Sequence, residues 1–229
     1  MLVAERMSTS PVTVTEDTTM NVALRVMRQA HVRRLPVLDE EGNMVGIVSE
    51  KDLLYASPSI ATSLSIYEMH DVLTRLKVSE LMTREVITVT PNTLLEDAAR
   101  IMVDNVIGGL PVVQGGRLVG IITQTDIFKV FLELLGAREE GLRLTLEIPE
   151  RKGEMARITT AIARLGGNIL ALSTFLGDDP TTAVVTVKVE DAPMDELIAA
   201  MKELGFKIRD ARETPPWPAA DIGSTQAGS

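Results

Sequence analysis

Cysteine is absent from the 229 residues, and that absence removes disulfides, thiolate nucleophiles and cysteine-type zinc sites together. Histidine is nearly absent too: only His31 and His70 occur. Neither stands in a spaced cluster with carboxylates, so histidine-based acid–base chemistry and histidine-rich metal sites have nothing to build on. No P-loop, G-x-S-x-G, H-E-x-x-H or G-x-G-x-x-G pattern is present. The chain is therefore read as a non-enzyme with no catalytic residues, no metal and no required cofactor. Aromatics make up only 3%, so the cores must be built from Val, Ile, Leu, Ala and Met, and methionines at helical spacing are core packing. No long Lys/Arg run exists and the net charge is −9, which argues against a nucleic-acid partner gripped through phosphates. No apolar stretch approaches the ~20 residues of a membrane-spanning helix. The opening MLVAERMSTS lacks the apolar segment of a signal peptide. A soluble, cytoplasmic protein with no membrane partner is expected.

What is present is a repeat. Met7 and Met82 stand 75 residues apart, and the same offset joins Thr13/Thr88, Val14/Val89, Thr15/Thr90, Ala23/Ala98, Met27/Met102, Leu35/Leu110, Pro36/Pro111 and Val37/Val112. One deletion later the offset is 74, joining Gly42/Gly116, Gly46/Gly120, Ile47/Ile121 and Asp52/Asp126. Chance similarity of two apolar segments would not keep Pro, Gly and Asp in register, and two copies are too few for a solenoid. A pair packed around a pseudo-two-fold axis is the expectation.

Each copy reads as β-α-β-β-α. A short strand (Val12–Thr15; Ile87–Thr90) precedes a helix whose candidate N-caps are Thr18 and Thr93. Helical spacing follows at Val22, Ala23, Val26, Met27 and Ala30, and at Leu95, Ala98, Ala99 and Met102. Strands Leu35–Leu38 and Met44–Ser49 flank the turn Asp39–Asn43, and Gln114-Gly115-Gly116 turns the second copy. Closing helices start near Asp52 and Asp126. The segment SLSIYEMHDVLTRLKV reads as an amphipathic linker helix that carries His70, whereas His31 falls at a helix end. The expected divisions are 1–60, the linker 61–77, and 78–136.

From Gly141 the pattern changes. Leu142–Ile148 alternates like a strand, a helix spans 154–165 and ends at Gly166-Gly167, and Asn168–Phe175 is a strand. Gly177–Pro180 forms a turn, Thr182–Val189 a strand, 193–204 a helix and Phe206–Asp210 a last strand. The order βαββαβ over 141–212 is ferredoxin-like. The Pro/Gly/Ser-rich tail 213–229, which holds Trp217, reads as disordered. The fold class is α+β.

The LPV strands (Leu35-Pro36-Val37; Leu110-Pro111-Val112) and the closing signatures Gly46-Ile-Val-Ser-Glu-Lys-Asp52 and Gly120-Ile-Ile-Thr-Gln-Thr-Asp126 resemble tandem CBS domains, the Bateman module. Arg151-Lys152-Gly153 and Gly166-Gly167-Asn168-Ile169 make the third part resemble an ACT domain. The combination is similar to the acetoin-utilisation accessory (AcuB-like) family. The resemblance implies a ligand-sensing regulator of adenine nucleotides or adenosyl compounds (AMP, ADP, ATP or S-adenosylmethionine), a homodimer, and an ACT ligand near Arg151, Gly153, Asn168 and Ile169. Its alternative is a ligand-free interaction module that stabilises a partner enzyme.

The resemblance places the ribose on the closing Asp, and the chemistry agrees: a carboxylate accepts from both hydroxyls of a vicinal diol. A Ser or Thr three positions earlier donates to phosphate, and free amides at a helix start favour an anion. Site one would use Ser49, Lys51 and Asp52, and site two Thr123, Thr125 and Asp126. The LPV strands contribute Pro36 and Pro111, and backbone near Val12 and Ile87 would read adenine. Arg33-Arg34 matches Gly108-Gly109 in the second copy, so site one should tolerate more negative charge and site two should favour a monophosphate or an uncharged adenosyl group. Against this stands the simpler role of Asp52 and Asp126 as helix N-caps, and of Arg33-Arg34 as a solvated pair.

Overall fold

The computed structural model describes residues 1–56 and 75–215. It divides into two compact units, Met1–Ile127 and a second from Phe128 onward. The linker helix expected over 61–77 lies mostly outside the described residues, as do His70 and Trp217.

The first copy of the repeat runs β1 (Val14–Thr15), α1 (Met20–Ala30), β2 (Arg34–Leu38), β3 (Met44–Ser49) and α2 (Glu50–Ala56). After α3 (Val78–Leu81), the second copy runs α4 (Leu95–Asp104), β4 (Gly109–Gln114), β5 (Arg117–Thr123) and α5 (Gln124–Leu134). α1 buries Met20, Ala23 and Met27, and α4 buries the matching Leu95, Ala98 and Met102. Full burial of each large side chain contributes about 1.5–3 kcal/mol, which explains how a chain with few aromatics holds its core. Val22 falls off this stripe and is 41% exposed.

The opening strands are shorter than the alternation implies. β1 is two residues, and Ile87–Thr90 makes only a single parallel bridge, Val89 to Val112. The threonines expected as N-caps explain this. Thr18 Oγ1 accepts the Thr15 amide at 3.1 Å, and Thr93 Oγ1 accepts the Thr90 amide at 3.1 Å. Each hydroxyl is spent turning the chain out of the strand, so the N-cap positions pass to Thr19 and Leu94, neither with a side-chain cap bond.

Pro36 sits mid-strand in β2, the middle strand of the β1-β2-β3 sheet. It is tolerated because β1 pairs only with Val37 and Leu38, leaving no neighbour that needs a proline N–H. Both hairpins shift register at matching points, between Val37 and Leu38 and between Val112 and Val113. Gly115 and Gly116 have φ of 58° and 81°, the pair of positive values a tight hairpin turn requires. In the longer turn, Asp39 Oδ1 accepts amides from Glu41 (3.0 Å) and Asn43 (2.8 Å).

The segment leading into each copy docks on the other copy. Val3 and Ala4 donate to the carbonyls of Thr93 and Pro91, and Ser8 exchanges two bonds with Ile121 at 2.9 and 3.0 Å. In mirror fashion Val78 donates to Thr18, and Thr83 exchanges two bonds with Ile47 at 2.9 and 3.0 Å. Gly46 and Gly120, shared between the copies, allow this approach. A Cβ at Gly46 would lie 2.5 Å from Met82 Sδ, and one at Gly120 would lie 2.7 Å from Met7 Sδ.

The second unit runs β6 (Gly141–Pro149), α6 (Glu154–Arg164), β7 (Asn168–Leu176), β8 (Thr182–Glu190), α7 (Met194–Glu203) and β9 (Lys207–Thr214). Its antiparallel sheet has the order β7-β8-β6-β9. Alternate residues Leu142, Leu144, Leu146 and Ile148 of β6 and Ala183, Val185, Val187 and Val189 of β8 pack with Ile158, Ile162, Leu197 and Met201 of the helices. β9 continues to Thr214, so Glu213 and Thr214 belong to the sheet and not to a tail. On the other face Lys188, 4% exposed, donates to the carbonyl of Gly136 at 2.8 Å and to that of Glu139.

Candidate functional site

β2 and β3 pair so that Arg34 stands opposite Ser49, and β4 and β5 pair so that Gly109 stands opposite Thr123. The Glu50 amide then donates to the Arg33 carbonyl (2.9 Å), and the Gln124 amide to the Gly108 carbonyl (3.2 Å). Equivalent residues of the two copies thus begin equivalent strands. Arg33, Arg34, Ser49, Lys51 and Asp52 line one cavity of about 670 Å³ together with Ile87, Gly108 and Gly109. The Arg pair and the Gly pair, expected at separate sites, share this space. Val12, Pro36, Pro111, Thr123, Thr125 and Asp126 are not among its lining residues.

The closing aspartates are third residues of their helices, not N-caps. Asp52 Oδ2 accepts from the Ser49 amide (2.9 Å) and the Ser49 hydroxyl (2.6 Å), and the Asp52 amide donates back to Ser49 Oγ at 3.2 Å. This is a capping box closed by an aspartate. Thr123 donates to Asp126 Oδ2 from its amide (3.0 Å) and its hydroxyl (2.6 Å). The capping bonds at Asp52 fall on Oδ2, so Oδ1 retains acceptor capacity.

The cations of the cleft are unequally placed. Lys51 Nζ lies 5.4 Å from the centre of the Tyr55 ring, a cation–π distance. Arg34 is half-buried; burial, and then the neighbouring Arg33 charge, push its pKa down, while Asp52 acts the other way. Among the described residues neither Arg33 nor Arg34 has an ion-pair partner within 4 Å. The guanidinium cannot shed its proton near neutrality, so the pair presents positive charge to the cleft. Lys51 is a third cation of the lining, and Glu50, Asp52 and Glu85 set negative charge against the three.

Several lining residues carry no sequence signal of their own. Thr83 arrives through the exchange of lead-in segments, a tertiary event. Asn105, Val106 and Ile107 follow α4. Val106 has φ of 54° and is 92% exposed. His31, its counterpart after α1, has φ of 53°. A β-branched residue rarely adopts this conformation, so nothing in the sequence marks the position.

In the second unit Arg151 pairs with Glu154 at 3.2 Å, and Asn168 Nδ2 donates to Glu190 Oε1 at 2.6 Å. Gly153, with φ of 93°, precedes α6. Pairing of Pro149 with Thr182 and of Leu142 and Ile169 with Val189 sets Arg151 and Gly153 at one end of the sheet and Asn168 and Ile169 at the other. No single small ligand can touch all four residues within one copy of the chain. Among the described residues no cluster of three metal-ligating side chains occurs, and no helix is long and apolar enough to cross a membrane.

The CBS domain family model matches residues 3–59 and 78–133. A CBS domain-containing protein of Dictyostelium discoideum is 34% identical over 136 residues, 59% of this chain and 94% of the relative. Among solved structures, a Vibrio cholerae protein assigned to acetoin utilization (AcuB) is 32% identical with a TM-score of 0.50, over 59% of this chain and 93% of that one. A CBS domain pair crystallised with 5′-methylthioadenosine and S-adenosyl-L-methionine is 28% identical with a TM-score of 0.49, over 61% of this chain and 98% of that one.

Proposed function

The chain belongs to the CBS domain family, and from that premise we propose that it is a ligand-sensing regulatory protein whose cleft takes an adenine nucleotide or adenosyl compound. The observation that carries this reading is the convergence of Arg33, Arg34, Ser49 and Asp52 with Ile87, Gly108 and Gly109 on one cavity of about 670 Å³. That size falls in the usual range of small-molecule sites, roughly 300–1,000 Å³. Asp52 offers carboxylate oxygen to a ribose diol, the guanidiniums meet phosphate, and Ile87 with Ile107 gives a base an apolar wall. Both copies of the repeat border the cleft, so a ligand that prefers one arrangement of the copies shifts the balance between arrangements by its differential affinity.

The second unit is read as an ACT domain on its βαββαβ order and its strand order β7-β8-β6-β9. An amino-acid ligand there would require a second copy of the chain, because its candidate residues lie at opposite ends of the sheet. A cytoplasmic homodimer that acts on a partner enzyme, itself without catalytic activity, completes the proposal. The alternative, a ligand-free interaction module, draws on the capping box, which already gives Ser49 and Asp52 a structural role.

Thermal unfolding with AMP, ADP, ATP, S-adenosylmethionine and the twenty amino acids tests the reading. A ligand at a hundred times its Kd stabilises the folded state by about 2.7 kcal/mol, so an adenine compound should raise Tm in wild type and not in Asp52→Ala. A Tm unmoved by every compound would leave the interaction module as the function.

A further inference from the structure

The geometry points to Gly108 as the residue that seats the Arg34 guanidinium, making the cleft a composite anion site that favours a nucleoside di- or triphosphate over an uncharged or cationic adenosyl compound. This inference rests on the nucleotide reading above and adds which ligand is preferred and how the preference is built.

The two copies share the Pro, Gly and Asp of their strands and closing helices, but where the first has Arg33-Arg34 the second has Gly108-Gly109. A Cβ built at Gly108 would overlap Arg34 Nη2 and stand 2.8 Å from Cζ and 3.2 Å from Nη1. All three nearest atoms belong to one guanidinium. At Gly109 the Arg34 Cδ stands 3.4 Å from the Cβ position. The Arg34 side chain therefore lies along both glycines, with its charged end over Gly108. Gly108 has no positive φ, so the backbone does not demand glycine there. The space is needed for the arginine that crosses from the first copy.

The difference between the copies is thus complementary rather than a matter of one strong and one weak site. Four arginines facing one another would repel, and four glycines would hold no anion. One Arg pair against one Gly pair gives a single positively charged wall and room beside it. Arg33 and Arg34 both line the cleft, and a guanidinium fork can donate two N–H bonds to a phosphate group. They disfavour a sulfonium cation by simple repulsion.

Isothermal titration of the full chain with adenosine, AMP, ATP and S-adenosylmethionine tests this in wild type, Gly108→Ala, Arg34→Ala and the double variant. The alanine methyl meets only the end of a flexible side chain, so Gly108→Ala retains the fold, and circular dichroism confirms that in the same samples. Wild type should bind ATP at least about tenfold more tightly than adenosine or S-adenosylmethionine, and each single variant should lose about tenfold or more in ATP affinity, as loss of charge-assisted bonds predicts. Adenosine binding should change less than about twofold, and the double variant should be no worse than Arg34→Ala, because both substitutions remove one interaction. Equal binding of ATP and adenosine by wild type overturns the inference while leaving the nucleotide reading intact. So does an additive double variant, or a Gly108→Ala that weakens adenosine as much as ATP. If wild type binds none of the compounds, the nucleotide reading itself fails.

Discussion

Replacing Gly120 by alanine should be far more damaging than the same replacement at Gly108, although both glycines lie in the same unit. At Gly120 the new methyl would stand 2.7 Å from Met7 Sδ and 2.8 Å from the carbonyl oxygen of Ser8. The sulfur can swing aside. The carbonyl cannot, because Ser8 and Ile121 exchange backbone bonds of 2.9 and 3.0 Å at that point. To admit the methyl, the Met1–Ser8 segment must lift from β5 and lose both bonds, worth about 1 kcal/mol net each. Loosening of Val3, which is fully buried, adds a share of the 1.5–3 kcal/mol that burial of such a side chain contributes. The sum is a loss of about 2–4 kcal/mol. Urea unfolding followed by circular dichroism would measure it as a lower midpoint at unchanged slope. Met7→Ala combined with Gly120→Ala should recover little, since the backbone contact remains. A Gly120→Ala protein within about 0.5 kcal/mol of wild type would refute the argument that this glycine exists for the crossing segment.

Val106→Asn should stabilise the protein by about 1 kcal/mol, because asparagine tolerates the left-handed conformation that a branched side chain does not; Val106 is 92% exposed with φ of 54°, so little packing is lost, and an unchanged or lower Tm would contradict the strain. Lys188→Met should destabilise by about 1–3 kcal/mol through loss of the donor to the Gly136 and Glu139 carbonyls. Burial pushes the Lys188 pKa down, with Glu139 opposing and Arg143 adding to the fall. The folded state therefore bears a cost for the charge at neutral pH that is relieved as pH rises through the lowered native value toward 10.5. The stability gap between wild type and Lys188→Met should accordingly widen on the alkaline side, measured by urea unfolding from pH 7 to pH 10; a gap that narrows would reverse the assigned direction.

The repeat made most of the first unit legible in the sequence. Helices, hairpins and the α1 and α4 cores follow from periodicity and from Gly and Pro, which constrain the backbone locally. The strand ahead of each helix was overestimated, because Thr18 and Thr93 look like N-caps until their hydroxyls are seen on Thr15 and Thr90. Both roles use the same residue type at nearly the same place, so sequence alone does not separate them. The aspartates show a similar ambiguity: Asp52 is set in register with Ser49 whether it holds a ribose or closes a capping box, and the observed bonds serve the second role without using up the first. The second unit was legible from alternation alone, because its buried faces of β6 and β8 follow a strict period of two.

The site itself was only half legible, and the reason is symmetry. Matching Arg33-Arg34 to Gly108-Gly109 by offset treats each copy as carrying its own site, whereas the fold lays the Arg34 side chain along Gly108 and Gly109. Alignment of the copies identifies which residues are equivalent; it does not reveal which residues touch across the two copies. The shared glycines show a contact made in both directions: Gly46 and Gly120 are alike because each admits an equivalent crossing backbone, Met82-Thr83 or Met7-Ser8. Gly46 and Gly120 thus mark a contact made twice, and Arg34 on Gly108 a contact made once. Arg34 on Gly108 is therefore a junction between the two repeats that neither copy forms by itself.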